Sequence, residues 1–286
     1  MLASTVLLAF AMSANSAAAL PPVQDSWEPG NKMLNAFKTC IDYAVENRKI
    51  LKQVTLDPEV CLLGTMLDPK ASASYTRTLR SDEVYTFISA ADDAESPMSI
   101  EVTNSDGDVV AKTDESSAVG YTFIQVENTG EYTIKVTADK ESGDANMVAL
   151  IIQSTVYKQV SRITAEDTLK PFRAINKRVA QALADTGKEL RFRQGDNQWC
   201  LIGGVPAGSV AVKIPEVQLG DTGGFFIGAA NNTNNITLLV KKGEDVTGEE
   251  TAKTTLVGAT ESGAFSAEMF NKGAARSVCV LAVVVE

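Results

Sequence analysis

Four cysteines and thirty-six carboxylates are the residues of this chain that could do chemistry, and no histidine accompanies them. Without an imidazole there is no Ser-His-Asp or Cys-His nucleophilic machinery, and the commonest zinc ligand is missing too. The thiols stand at Cys40, Cys61, Cys200 and Cys279 with no Cys-x-x-Cys pair among them, so their spacing does not suit zinc either. Carboxylates alone could hydrolyse a glycoside, which takes two of them across a cleft. Asp82-Glu83 and Asp92-Asp93 are visible pairs. Adjacent residues on a strand point to opposite faces, and both pairs fall where turns are expected, so they read as solvated loop charge. A His-free hydrolase using paired carboxylates is kept as an alternative. The Gly-Lys-Glu at 187 to 189 lacks the frame of a phosphate-binding loop.

The elements that must position these groups begin with an export signal. The start, "MLASTVLLAFAMSANSAAAL", has an apolar run from Val6 to Met12 and closes on small residues, the pattern of a signal peptide cleaved after Ala19. No Lys or Arg precedes the run, and it is far shorter than the roughly 20 residues of a membrane span. The expected location is therefore secreted or periplasmic, with residues 20–31 a Pro-rich linker. A formal net charge of −10 argues against nucleic acid and anionic membrane surfaces as partners. An even number of cysteines in an exported chain predicts two disulfides.

Internal repetition organises the rest. "VCLLGT" at 60 to 65 returns as "WCLIGG" at 199 to 204, an offset of 139. Ahead of each lies the same apolar stripe: Leu34, Phe37, Ile41, Val45 and Phe172, Ile175, Val179, Leu183 are spaced three, four and four. This predicts an amphipathic helix before each motif, the first over about Lys32 to Gln53. Short segments rich in Val, Ile, Thr and aromatics follow, from "SYTRTL" to "NMVALIIQSTVY", and read as seven strands of a sandwich. In the second half Ile236, Leu238 and Val240 fall 138 after Met98, Ile100 and Val102, and "NKG" at 271 to 273 is matched to "NTG" at 128 to 130. The second half is read as one strand short, and Val278–Val285 matches either "YTIKVTA" or "MVALIIQ". The fold class expected is mainly β with flanking helices, two tandem helix-plus-antiparallel β-sandwich domains of jelly-roll type over 32–157 and 158–286.

The series from "SDEVYTFISAADD" through "SDGDVVAKT" to "TGEYTIKVTA" resembles the bacterial pre-peptidase C-terminal domain, over roughly residues 75 to 155 with an echo at 208 to 286. It leaves both helices outside the likeness. The resemblance implies a noncatalytic accessory sandwich, in some relatives one that binds Ca²⁺ or a polymeric substrate. The cation positions it implies are Asn104, Asp106 and Asp108 in "TNSDGD", with Glu115 at the distance of a twelfth-position ligand. "SDGD" also reads as an ordinary hairpin turn.

Equivalence of Cys61 and Cys200 under the repeat, with Ala149 the loose counterpart of Cys279, favours bonds internal to each unit: Cys40 with Cys61 and Cys200 with Cys279. Loop tips are the expected binding surface, with Asp92 and Asp93 in one unit and Asn231, Asn232 and Asn234 in the other. Asn231 and Asn235 also begin Asn-x-Thr glycan acceptor patterns. Trp27 and Trp199 are expected to pack rather than stack on sugars. The function expected is a noncatalytic exported binding or assembly module, the alternative a calcium- or carbohydrate-binding accessory domain. Its partner would be an envelope or extracellular protein or polysaccharide, with no cofactor beyond a possible Ca²⁺.

Overall fold

A computed structural model describes residues 27–46, 55–56, 59–154, 164–187, 189–194, 199–205, 211–231, 235–271 and 277–286. The expected signal peptide, most of the expected linker, Asn232 and Asn234 lie outside the described residues. Two helices, α1 (Glu28–Glu46) and α2 (Ala165–Thr186), each precede a set of nine strands. The first set is β1 (Thr55–Leu56), β2 (Val60–Leu67), β3 (Ser72–Leu79), β4 (Val84–Ala91), β5 (Met98–Asn104), β6 (Val109–Lys112), β7 (Val119–Gln125), β8 (Gly130–Ala138) and β9 (Asn146–Ser154). The second is β10 (Arg191–Phe192), β11 (Leu201–Gly204), β12 (Ala211–Leu219), β13 (Gly224–Ala230), β14 (Ile236–Lys242), β15 (Asp245–Ala252), β16 (Thr254–Ala259), β17 (Gly263–Asn271) and β18 (Cys279–Val285).

Strand order repeats between the sets. In the first, β2-β9-β4-β7 faces β3-β8-β5-β6; in the second, β11-β18-β13-β16 faces β12-β17-β14-β15. Both are eight-stranded jelly rolls, with all strand pairs antiparallel. The short β1 and β10 make the same extra pairing, on β9 and β18. The duplicated fold is therefore complete in both halves, and the strand thought missing is β15. Its side chains alternate between exposed and half-buried, so it offers no apolar period to read.

Register settles the remaining correspondences. β18 takes the place of β9, because Ala282 and Ile151 pair with Leu201 and Leu62 in the equivalent strands. Cys279 then corresponds to Val148: it lies opposite Ala230, as Val148 lies opposite Ala91. The match of "NKG" to "NTG" is corrected as well, since Leu79 pairs with Gly130 while Leu219 pairs with Gly263.

The two jelly rolls share a sheet. β2 pairs with β11 in antiparallel register, Leu62 with Gly203, Leu63 with Ile202 and Gly64 with Leu201, which joins the two halves into one ten-stranded sheet. The pairing is its own image under exchange of the two motifs, with Leu63 and Ile202 at the centre. Both helices cover the outer face of this sheet, α1 over β4 and β9, α2 over β13, β16 and β18. They meet where Phe37 touches Phe172, ring centroids 4.3 Å apart. The pseudo-two-fold axis thus runs through the sheet face.

This packing explains the repeated motif. A Cβ on Gly64 would lie 2.6 Å from Met33 Sδ on α1, and one on Gly203 would lie 3.0 Å from the Cys279 carbonyl oxygen. The helix begins at Glu28, ahead of the expected Lys32, with Pro29 in the first turn where its missing N–H costs nothing. Its buried face is Met33, Ala36, Phe37, Cys40 and Ile41, while Val45 is exposed. Thr164 caps α2 by accepting from the Asp167 N–H, and Gly187 closes it in the left-handed conformation. No described helix is long and apolar enough to cross a membrane.

Candidate binding surface

The expected disulfides are absent: all four cysteines are buried thiols. Cys40 on α1 packs against the carbonyls of Ile88 and Ala149, each 3.7 Å from its sulfur. Ala149 pairs with Gly64, three positions along β2 from Cys61, a separation of about 10 Å at strand spacing. Cys279 pairs with Gly204, four positions from Cys200, or about 13 Å. A disulfide bridges Cα atoms no more than about 7 Å apart, so Cys200 and Cys279 cannot close. Cys200 instead donates to the Gly64 carbonyl at 3.3 Å, across the joint between the units. Burial pushes its thiol up to about 12 and that of Cys279 up to about 11.

Asp92 and Asn231, expected to bind a ligand, hold the chain instead. The Asp92 N–H donates to the Met147 carbonyl at 2.9 Å and Asp92 Oδ1 accepts from the Met147 N–H at 2.8 Å. The Asn231 N–H donates to the Val278 carbonyl at 3.0 Å, and Asn231 Oδ1 accepts from the Val278 N–H at 3.0 Å. One clasp ends β4 and the other ends β13. Asp93 accepts from Lys140 Nζ at 2.8 Å and from the Ser96 hydroxyl at 3.1 Å. The lysine holds the Asp93 carboxyl down to about 2. Because β4 and β13 run in opposite directions, the two loop tips lie at opposite ends of the sheet and form no common surface.

At "TNSDGD", Asn104 Oδ1 accepts from the N–H groups of Asp106 and Asp108, at 3.0 and 2.9 Å, and its carbonyl accepts from Gly107. This is an Asx turn closing the β5–β6 hairpin, with Gly107 at positive φ. Glu115 lies beyond the end of β6. Among the described residues no group of three or more acidic, thiol or imidazole side chains could hold a metal. Both tryptophans pack. Trp27 is 3% exposed, donates to the Leu190 carbonyl and packs at a tilt against Phe192; Trp199 donates to the Ser74 carbonyl of the other unit at 2.8 Å.

A different cluster is exposed. Tyr121 and Phe123 alternate onto one face of the edge strand β7, ring centroids 6.3 Å apart, and Tyr43 of α1 lies 5.8 Å from Tyr121. Phe123 is 59% exposed, the most exposed large hydrophobic side chain among the described residues. Burial beside α1 and the neighbouring Tyr43 raise the Tyr121 hydroxyl above the usual phenol range. Among the described residues the second unit has no such strip. Register makes Leu256 and Gly258 the counterparts of Tyr121 and Phe123, and the aromatic there is Phe225, one strand inward over Gly258. Sequence reasoning missed the strip because Tyr43 and Tyr121 are far apart in the chain and meet only through helix packing. The available signal was the alternating Tyr-x-Phe in "YTFIQVE" without an aromatic counterpart in "TTLVGAT".

No family model and no curated protein matches the chain. Among solved structures it is similar to a periplasmic inhibitor of g-type lysozyme, PliG from Aeromonas hydrophila, at 12% identity and a TM-score of 0.27, over 34% of this chain and 87% of that one. It is similar to the N-terminal CBM22-1–CBM22-2 tandem of Xyn10C from Paenibacillus barcinonensis, at 11% identity and a TM-score of 0.22, over 82% and 86% of the two chains. A lectin from Pleurotus ostreatus, solved with GalNAc, is similar at 11% identity and a TM-score of 0.24, over 81% and 80%.

Proposed function

We propose that the chain is a noncatalytic binding module, exported to the periplasm, envelope or extracellular space, that holds its partner on Tyr43, Tyr121 and Phe123. The observation that carries this is the contrast between the two ends of one duplicated sheet. At one end Tyr121 and Phe123 of the edge strand, with Tyr43 of α1 beside Tyr121, form an aromatic row; at the other the places of Tyr121 and Phe123 hold Leu256 and Gly258. An aromatic cluster in water adds little to the core, and amphipathic aromatic rings such as Tyr are enriched where proteins meet partners. The export signal supports the location, and the resemblance to an accessory sandwich domain supports a noncatalytic role.

Binding of the labelled mature protein to washed host cells tests this reading. Saturable binding that falls at least tenfold in Phe123→Ala is expected. Unsaturable binding, equal binding by the variant, or turnover of a glycoside or peptide panel by the purified protein would overturn it.

A further inference from the structure

We infer that the Tyr43–Tyr121–Phe123 strip takes a single chain of a neutral polysaccharide. The inference rests on the binding-module reading and names its ligand class. Successive rings stand 5.8 and 6.3 Å apart, steps comparable with the length of one pyranose unit, so adjacent sugars could each lay a C–H face on one ring. The plane of Tyr121 is inclined by 49° to that of Tyr43 and by 42° to that of Phe123. Rings so inclined share no plane for a flat crystalline polymer surface, which leaves a single chain free to follow them as the form that fits. Gln125, two positions beyond Phe123 on the same face of β7 and exposed, offers an amide to sugar hydroxyls.

Size and charge separate this occupant from the others. With aromatic side chains of about 150–250 Å² each, one mostly exposed and two half-buried rings present roughly 250 Å². A stable protein interface takes about 800 Å² per partner. A second copy of the chain would also bring a second net charge of −10, and the same charge disfavours anionic polymers.

Native affinity electrophoresis tests the inference, with mixed-linkage β-glucan, glucomannan, arabinoxylan or amylose in the gel and alginate as the anionic comparison. Retardation by at least one neutral polymer is expected, weakened tenfold or more in Phe123→Ala and unchanged in Val246→Ala, which trims an exposed valine of the other unit. Silence in all four neutral gels, retardation that survives Phe123→Ala, or retardation by alginate alone would overturn it. So would sedimentation showing a dimer that Phe123→Ala abolishes. If cells are bound through Phe123 while every neutral gel is silent, the polysaccharide inference falls and the binding-module reading stands.

Discussion

Leu63 and Ile202 face each other at the centre of the antiparallel pairing that joins the two jelly rolls, and Leu150 and Leu281 lie directly beyond them on β9 and β18. The four aliphatic residues form one row across the shared sheet, and exchanging the units maps the row onto itself. The joint pairs the second strand of each copy, β2 with β11, which leaves no open edge at the middle of the sheet. Its outer strands, β7 and β16, then diverged. One carries the aromatic strip, and the other keeps a small surface under Phe225.

Close approach at the joint makes a glycine there irreplaceable. A Cβ on Gly204 would stand 2.5 Å from the Glu59 carbonyl oxygen, whereas one on Gly220 would meet nothing within 4 Å. Gly204→Ala should lower unfolding free energy by about 1–3 kcal/mol, the usual cost of forcing extra volume into a packed site. Gly220→Ala should stay within about 0.5 kcal/mol of the parent, as surface changes do. Urea denaturation of the two variants measures the difference.

The thiols should be inert while the protein is folded. Thiolate is the reactive form, and burial holds Cys40, Cys200 and Cys279 protonated far above neutral pH. An aromatic disulfide reagent should find no reactive thiol in native protein at pH 7 and four after denaturation without reductant. Two or fewer after denaturation would show that the expected disulfides form.

Asp92 performs in one unit what uncharged Asn231 performs in the other, and burial raises the Asp92 carboxyl above its ordinary range. A carboxyl raised in the folded state favours the protonated form. Its charge therefore costs stability at neutral pH, and that cost is relieved as pH falls through the raised folded value towards the unfolded one. Asp92→Asn keeps the Oδ1 acceptor and removes the charge. Its melting temperature should equal or exceed the parent's at pH 7, with the gap closing in acid. Asp92→Ala strands the Met147 N–H and should cost about 1–3 kcal/mol.

Phe123 lies on the edge strand β7 and Phe225 on β13, one strand in from the equivalent edge of the other unit, and the two differ in exposure. Phe123→Ala should change stability by no more than about 0.5 kcal/mol, since the ring lies mostly in water. Phe225→Ala uncovers Gly258 and should cost about 1–2 kcal/mol, less than the 3–5 of a fully buried ring. Thermal melts of both variants check the contrast.

Local periodicity and spacing made much of this fold legible. Met98, Ile100 and Val102 correspond to Ile236, Leu238 and Val240 at the offset of 138 visible in the chain, because both sets fill the interior face of the same strand. The recurrence around Cys61 and Cys200 marks the joining strands, but nothing local says that two copies of a motif pair with each other. β15 was hidden because an edge strand with no buried side chains has no apolar alternation. Cysteine count and compartment argued for disulfides, and strand register, which a single sequence does not display, overruled them. Asp92 and Asn231 looked available because a carboxylate or amide at a strand end is the same in sequence whether it faces solvent or clasps the next strand.

The joint itself is open to direct measurement. In the labelled mature protein, the account predicts a cross-strand nuclear Overhauser effect between backbone protons of the Leu63 and Ile202 pair, alongside those linking Leu63 to Leu150 and Ile202 to Leu281. Observation of the two outer contacts without the central one would show two separate sandwiches and contradict the shared sheet.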